Sequence, residues 1–331
     1  MKHNLPASPA VGDLLSLGTK DKQLAEGIDA IEIEPNGSEE LYILLHCGIR
    51  ESVYRGTHLM DMFSKKVQGG TEQAPLFMLY RHVLDIGDSI GTLLRFGSTS
   101  STSILLRSLF ESYLSLHFLL EGNVLNKDRS LAYWAHYKIK QLETFTKYDS
   151  FAKEGKQFHK ILDDDPLANN VDFPKHDYAH ERKEIEKILN LDKFRQFYDQ
   201  YKSRKKGKRP RHWYSLCSTA IDIRSLAKLL KREAEYSLLY SRLSELAHST
   251  DVISEKLTLS KEGATLIHPL RGPYKSLKLV SSFTSSYLLG CHHALVESYF
   301  LKDEEVRAGF KNWYFKYRHF HLWLTGNQPK P

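Results

Sequence analysis

Ser103 to Leu120 reads SILLRSLFESYLSLHFLL, and this stretch decides the fold. Apolar residues occupy nearly every side of its helical wheel, and only Arg107, Glu111 and His117 interrupt them. A helix that is apolar all round is usually buried. It is also too short and too interrupted for a membrane span, which takes about 20 mostly apolar residues. It therefore reads as the central helix of a folded domain, from Thr102 to Leu120, with other helices around it. Gly97-Ser98-Thr99 breaks the chain before it and Gly122-Asn123 after it.

The flanking sequence supplies those helices. Apolar positions at three- and four-residue spacing predict one helix from Ser38 to about Val67, ended by Gly69-Gly70. A second runs from Glu72 to Phe96, with Pro75 near its start, where proline is tolerated. Gly87 and Gly91 lie inside it and allow close helix packing. Further helices are expected over 128–152, Glu181 to Tyr201, Trp213 to Leu230, Glu233 to His248, Tyr274 to Phe300 and Glu304 to Phe320. Residues 160–181 read as a polar insertion. Leu257-Thr258-Leu259 and Ala264-Thr265-Leu266-Ile267, around Lys261-Glu262-Gly263, read as a β-hairpin. The expected fold class is all-α, an antiparallel helical bundle with a small β-hairpin near residues 257–267. Residues 1–37 form an irregular N-terminal segment, in which Ile31 and Ile33 alternate like a short strand. Residues 38–300 form the bundle domain, and 301–331 a C-terminal helix and tail.

Composition narrows the class. The 331 residues are 41% hydrophobic and 26% charged, ordinary for a globular chain. Cys47, Cys217 and Cys291 are scattered and odd in number, which points away from a disulfide framework or zinc site and towards a reducing, cytoplasmic compartment. The opening MKHNLPASPAVGDLLSLGTKDK has no long apolar run, so neither a signal peptide nor a membrane association is expected. A net charge of +7 favours polyanionic partners such as RNA. HExxH, a P-loop, GxGxxG and GxSxG are absent from the sequence, which argues against the common zinc proteases, P-loop NTPases, Rossmann dehydrogenases and serine hydrolases. His176 with His180, and His292-His293 with Glu297, have partial ligand spacing but lack a matching further ligand, so neither a metal nor a cofactor is expected.

Two constellations can carry chemistry. Arg107 and Glu111 are spaced i,i+4 and share a helix face. In so apolar a segment they are expected to be buried and paired, because a lone buried charge is costly. Such a pair either fixes helix register or forms a functional polar site. The second constellation is YSRLSELAHST, Tyr240 to Thr250. On a helix, Ser244 and Glu245 precede His248 by one turn. Glu245 can orient its imidazole, and a histidine poised near neutrality is a general acid or base. A structural, capping histidine is the competing reading.

The basic stretch KSRKKGKRPR contains Lys202, Arg204, Lys205, Lys206, Lys208, Arg209 and Arg211. With Gly207 and Pro210 it reads as a loop able to contact phosphates. It also reads as a solvated surface loop. The tail NWYFKYRHFHLW, Asn312 to Trp323, interleaves aromatics with cations. It fits either a docking helix or a surface that stacks bases.

The order of LLRSLFES (Leu105 to Ser112), RHWYS (Arg211 to Ser215) and YSRLSELAHST with the following hairpin resembles the bacterial helical domain-of-unknown-function family 5677, from about Leu44 to Arg271. That resemblance implies a helical fold and no particular activity. Arg242 and His248, with five residues between them, also resemble the motif of HEPN ribonucleases, although Leu243 stands where those enzymes commonly carry a polar residue. The likeness implies metal-independent RNA cleavage by a dimer, often in bacterial defence or toxin systems. Arg242 would hold the scissile phosphate and His248 would move a proton at the ribose 2′-hydroxyl. Arg107, Glu111 and Ser244 would support them. The rival expectation is a non-catalytic interaction protein that docks a protein partner, and a further one is a small-ligand sensor using the same polar residues.

Overall fold

The computed structural model describes residues 38–66, 70, 72–122, 124–166, 176–204, 210–240, 243, 257–259, 265–267 and 274–326. These residues are mostly helical. The long helices are α1 (Ser38–Lys66), α2 (Ala74–Arg95), α3 (Thr99–Leu119), α4 (Lys127–Tyr148), α9 (Tyr274–Tyr299) and α10 (Glu304–Thr325). Shorter ones are α5 (Lys153–Asp164), α6 (Ala179–Leu189), α7 (Asp192–Ser203) and α8 (Ile223–Leu229). Strands β1 (Leu120–Glu121) and β2 (Val124–Leu125) pair antiparallel around Gly122, whose φ of 59° suits glycine. The sequence pattern did not signal this pair. Strands β3 (Leu257–Leu259) and β4 (Thr265–Ile267) also pair antiparallel, with Thr258 opposite Leu266. Among the described residues no helix is long and apolar enough to cross a membrane. The N-terminal segment, with its expected strand at Ile31 and Ile33, lies outside the described residues.

The chain divides into two compact units. The first comprises Met1–Lys66, Leu79–Tyr113 and Ser237–Pro331, and the second Val67–Met78 and Leu114–Tyr236.

In the first unit, α1 buries Leu41, Leu44, Leu45, Ile49, Leu59 and Phe63 along one stripe at helical spacing. Helix α9 packs against α1 and α10, and α10 also touches α1. The two glycines of α2 sit where helices approach closely. A β-carbon on Gly87 would lie 3.0 Å from Leu288, and one on Gly91 3.3 Å from Ile49.

In the second unit, α4 is central. Its Ala132, Ala135 and Ile139 pack with Ile185 and Leu189 of α6, with Phe194, Phe197 and Tyr198 of α7, and with Leu216. Arg129 lies 3.9 Å over the Phe118 ring and donates to the Phe118 carbonyl at 2.8 Å. Three helices expected to be continuous are broken, each by a local cap. The helix expected over 128–152 stops at Tyr148, because Asp149 turns inward. Its Oδ1 accepts from the Phe151 and Ala152 backbones at 2.9 and 3.3 Å, and its Oδ2 pairs with Arg182 at 2.9 Å. A new helix, α5, then runs into the expected polar insertion as far as Asp164, so part of 160–181 is helical. The helix expected from Glu181 to Tyr201 is two, parted at Asn190, whose carbonyl takes both Nε and Nη2 of Arg195. Trp213 to Leu230 is a 3-10 turn, Trp213–Leu216, followed by α8, which Asp222 and Ser225 cap reciprocally.

Asp149 is fully buried, and Gly155 packs against its carbonyl. Truncating the buried carboxylate strands the partly buried Arg182 guanidinium and two backbone N–H groups. Asp149→Ala is therefore expected to destabilise the protein by about 3 kcal/mol, read as a lowered urea midpoint. Gly155→Ala, whose β-carbon would overlap the Asp149 carbonyl oxygen, is expected to lower it as well, while Ala at the exposed Lys156 leaves it unchanged.

Candidate functional site

The first constellation is assembled in the first unit by residues far apart in sequence. Arg107 and Glu111 lie one turn apart on α3, with Arg107 Nε 3.4 Å from Glu111 Oε1. Tyr240 inserts between them. Arg107 Nη2 donates to the Tyr240 hydroxyl at 2.8 Å, and that hydroxyl donates to Glu111 Oε1 at 2.6 Å. The guanidinium also lies 4.8 Å over the Tyr240 ring, and the ring packs on Phe110. Burial, reinforced by the bond to Glu111, pushes the Tyr240 phenol up to about 12, so it remains a proton donor at neutral pH.

The expected burial of this pair is corrected. The Arg107 and Glu111 side chains retain 24% and 41% exposure. Ile104, one turn earlier on the same face, is also exposed. The helix is apolar around its wheel, yet this edge is open to solvent.

Tyr240 reaches the pair from a π-turn, Tyr236–Tyr240, which follows a single α-turn at Glu233–Glu235. The continuous helix expected from Glu233 to His248 is thus interrupted at its midpoint. A π-turn inside a helix often marks a functional position, because the extra residue re-aims the side chains that follow. Leu243 is helical and buried. Arg242, Ser244, Glu245 and His248 lie outside the described residues.

The basic stretch belongs to the second unit. Lys205, Lys206, Lys208 and Arg209 lie outside the described residues. Of its flanks, Lys202, Arg204 and Arg211 are exposed. Lys202 pairs with Asp199 at 3.0 Å and lies 4.2 Å over Tyr198. At the far flank His136 of α4 bonds the Arg211 backbone. Burial, then the charge of Lys140, pushes His136 down to about 4.

A second polar cluster in the first unit went unread in the sequence, except as possible metal ligands. His292 is fully buried on α9. Its Nε2–H donates to the Ser52 carbonyl at 2.9 Å, and its Nδ1 accepts from the Tyr80 hydroxyl at 2.8 Å. Burial holds the ring down at about 3, so it is neutral and locked in one tautomer. His293 points away, exposed, with Nε2 4.0 Å from Glu297. His176 bonds backbone beside Asp149, its carbonyl accepting from Ser150 at 3.3 Å. Among the described residues no three His, Cys, Asp or Glu side chains gather as a metal site. Burial pushes the Cys217 thiol up to about 12 and that of Cys291 higher still, so neither is a thiolate at neutral pH.

The model of a family of unknown function, DUF5677, matches residues 73–264, more than half of the chain. The chain belongs to this family. The match takes in α2 to α8, the π-turn and β3, and leaves α1, α9 and α10 outside. The resemblance carried by LLRSLFES, RHWYS and YSRLSELAHST is borne out at family level, over a narrower span than Leu44 to Arg271. Membership in DUF5677 carries no activity and lends no support to the HEPN likeness. No curated protein and no solved structure shows significant similarity to the chain.

The buried His292 and the partly buried His136 link stability to pH. Both are held below the ordinary imidazole value, so on acidification from pH 6.5 towards 4 the unfolded chain binds protons that the folded chain refuses. Stability is full above that window and falls within it, by up to about 1.4 kcal/mol per pH unit for each proton. Urea unfolding at pH 7, 6 and 5 is expected to show the decline, with a shallower slope in His136→Gln. A stability flat across these pH values would contradict it.

Proposed function

We propose that this DUF5677 protein acts on RNA as a metal-independent, HEPN-like endoribonuclease whose site lies along the Arg107–Tyr240–Glu111 cluster and the segment that follows it. The observation that supports this reading is the cluster itself. It is a cation, a carboxylate and a phenol at a half-exposed edge, hung on a π-turn that ends two residues before Arg242. In this reading Arg242 holds the scissile phosphate, and His248, oriented by Glu245, takes the proton of the ribose 2′-hydroxyl. The 2′-oxygen attacks phosphorus, the bond to the 5′-oxygen breaks, and the proton leaves on that oxygen, so no water is consumed. Arg107, Glu111 and Ser244 support these groups. Lys202, Arg204, Lys205, Lys206, Lys208, Arg209 and Arg211 bind the RNA backbone. The protein works in the cytoplasm as a homodimer, in a defence or toxin setting as the HEPN likeness implies. Its helices form an antiparallel bundle, with β3 and β4 closing as one hairpin.

One observation favours a second reading. Tyr240 already bridges Arg107 and Glu111, as a purely structural joint would require. On that reading the protein is a non-catalytic partner-docking module.

The test is cleavage of single-stranded and structured RNA by purified protein in EDTA, wild type beside His248→Ala, with both shown to be folded by circular dichroism. The proposal expects cleavage by the wild type and loss of at least about 100-fold in the variant, the scale of one general acid–base group. No cleavage by the wild type, or an equal rate in the variant, would overturn it and favour the docking module.

A further inference from the structure

Helix α10 has more aromatic residues than its docking consumes. On its inner face Tyr317, Phe320, Trp323 and Leu324 are buried. Trp313 donates from its indole to Glu51 at 2.8 Å and stacks on Tyr317 at 4.9 Å. Those residues account for the attachment of the helix. Tyr314 and Phe315 remain outside, 39% and 43% exposed.

These two rings are set among cations. The Lys311 ammonium lies 5.7 Å from the Phe315 ring centre, and the Arg318 guanidinium 4.8 Å from it. Arg307, Lys311, Tyr314 and Arg318 follow one another at steps of four, three and four residues, so they form a single stripe with Phe315 at its border. Arg307 and Lys311 are exposed. From Val306 to Pro331 the chain contains no acidic residue, so no acidic side chain from this stretch neutralises the stripe.

We propose that this outer face of α10 binds single-stranded nucleic acid, stacking bases on Tyr314, Phe315 and the flat guanidinium of Arg318 while Arg307 and Lys311 neutralise the neighbouring phosphates. Three features select this occupant. A polyanion complements the cations that run from Arg307 to Arg318 with no carboxylate among them, Glu304 standing one turn before. Exposed rings offer stacking faces that a single strand can use and a duplex, with its bases stacked internally, cannot. A membrane-surface helix separates its apolar and charged faces, whereas here rings and cations share one azimuth. The stripe lies outside the family match at 73–264 and uses neither Arg242 nor His248, so it stands apart from the catalytic reading.

The test is fluorescence anisotropy with the full chain and a labelled 2′-O-methyl single strand of about a dozen nucleotides, which blocks attack by the 2′-oxygen, so binding is read whether or not the protein cleaves RNA. Phe315→Ala is expected to weaken binding by about tenfold or more, the scale of one lost stacking contact. Lys311→Glu is expected to weaken it comparably. Lys316→Glu makes the same charge change on a different side of the helix and is expected to stay within about twofold. The same sequence as a duplex binds more weakly. All three side chains are exposed, and circular dichroism checks each variant's fold. Unchanged affinity in Phe315→Ala would overturn the proposal. So would equal losses in Lys316→Glu and Lys311→Glu, which would reduce the effect to net charge, or a preference for the duplex.

Discussion

The hydroxyl of Tyr240 accepts from Arg107 and donates to Glu111, and the local order of the candidate site depends on that shared atom. A guanidinium and a carboxylate at a half-exposed edge hold each other weakly, because water competes for both. A phenol between them adds two charge-assisted bonds and removes part of the edge from water, which makes the arrangement stiffer than the ion pair alone. It also ties α3 to a segment 133 residues later in the chain. The π-turn follows from this demand. An uninterrupted α-helix through Tyr240 would point the phenol elsewhere, and the extra residue of the turn re-aims it.

The two units solve the burial of polar groups differently. In the first, His292 is sealed in the core as a neutral ring, with Ser52 and Tyr80 satisfying both nitrogens. In the second, Asp149 is surrounded by two backbone N–H groups and Arg182. Each arrangement lies within its own unit, which fits structural rather than catalytic service. The Arg107–Tyr240–Glu111 cluster differs in remaining half open to solvent, and the outer face of α10 differs again in leaving two rings and the cations around them partly or wholly exposed.

The long helices were legible in the sequence because their apolar stripes repeat without interruption. Expected and observed bounds of α1, α2 and α9 differ by a residue or two. The middle of the chain was less legible. Between 128 and 230 the apolar spacing continues across the breaks at Asp149, Asn190 and Asp222, where a side chain bonded to the backbone ends one helix or caps the next. The pairing of Arg107 with Glu111 was legible from i,i+4 spacing, whereas their exposure was not, since a wheel shows composition and not coverage. Tyr240 stood at the head of the motif YSRLSELAHST, but nothing local indicates that its hydroxyl reaches α3. Only the tertiary fold brings it there. The aromatic tail was ambiguous between docking and base stacking. Trp313, Tyr317, Phe320 and Trp323 dock, and Tyr314 and Phe315 are left over.

If the shared hydroxyl organises this site, Tyr240 and Glu111 must be energetically coupled. The most direct measurement is a double-mutant cycle on urea unfolding with Tyr240→Phe, Glu111→Gln and both together. A coupling of about 1 kcal/mol or more is expected, as for a hydrogen bond to a charged group. Losses that simply add, within about 0.3 kcal/mol, would contradict it and leave Tyr240 as an ordinary packed aromatic.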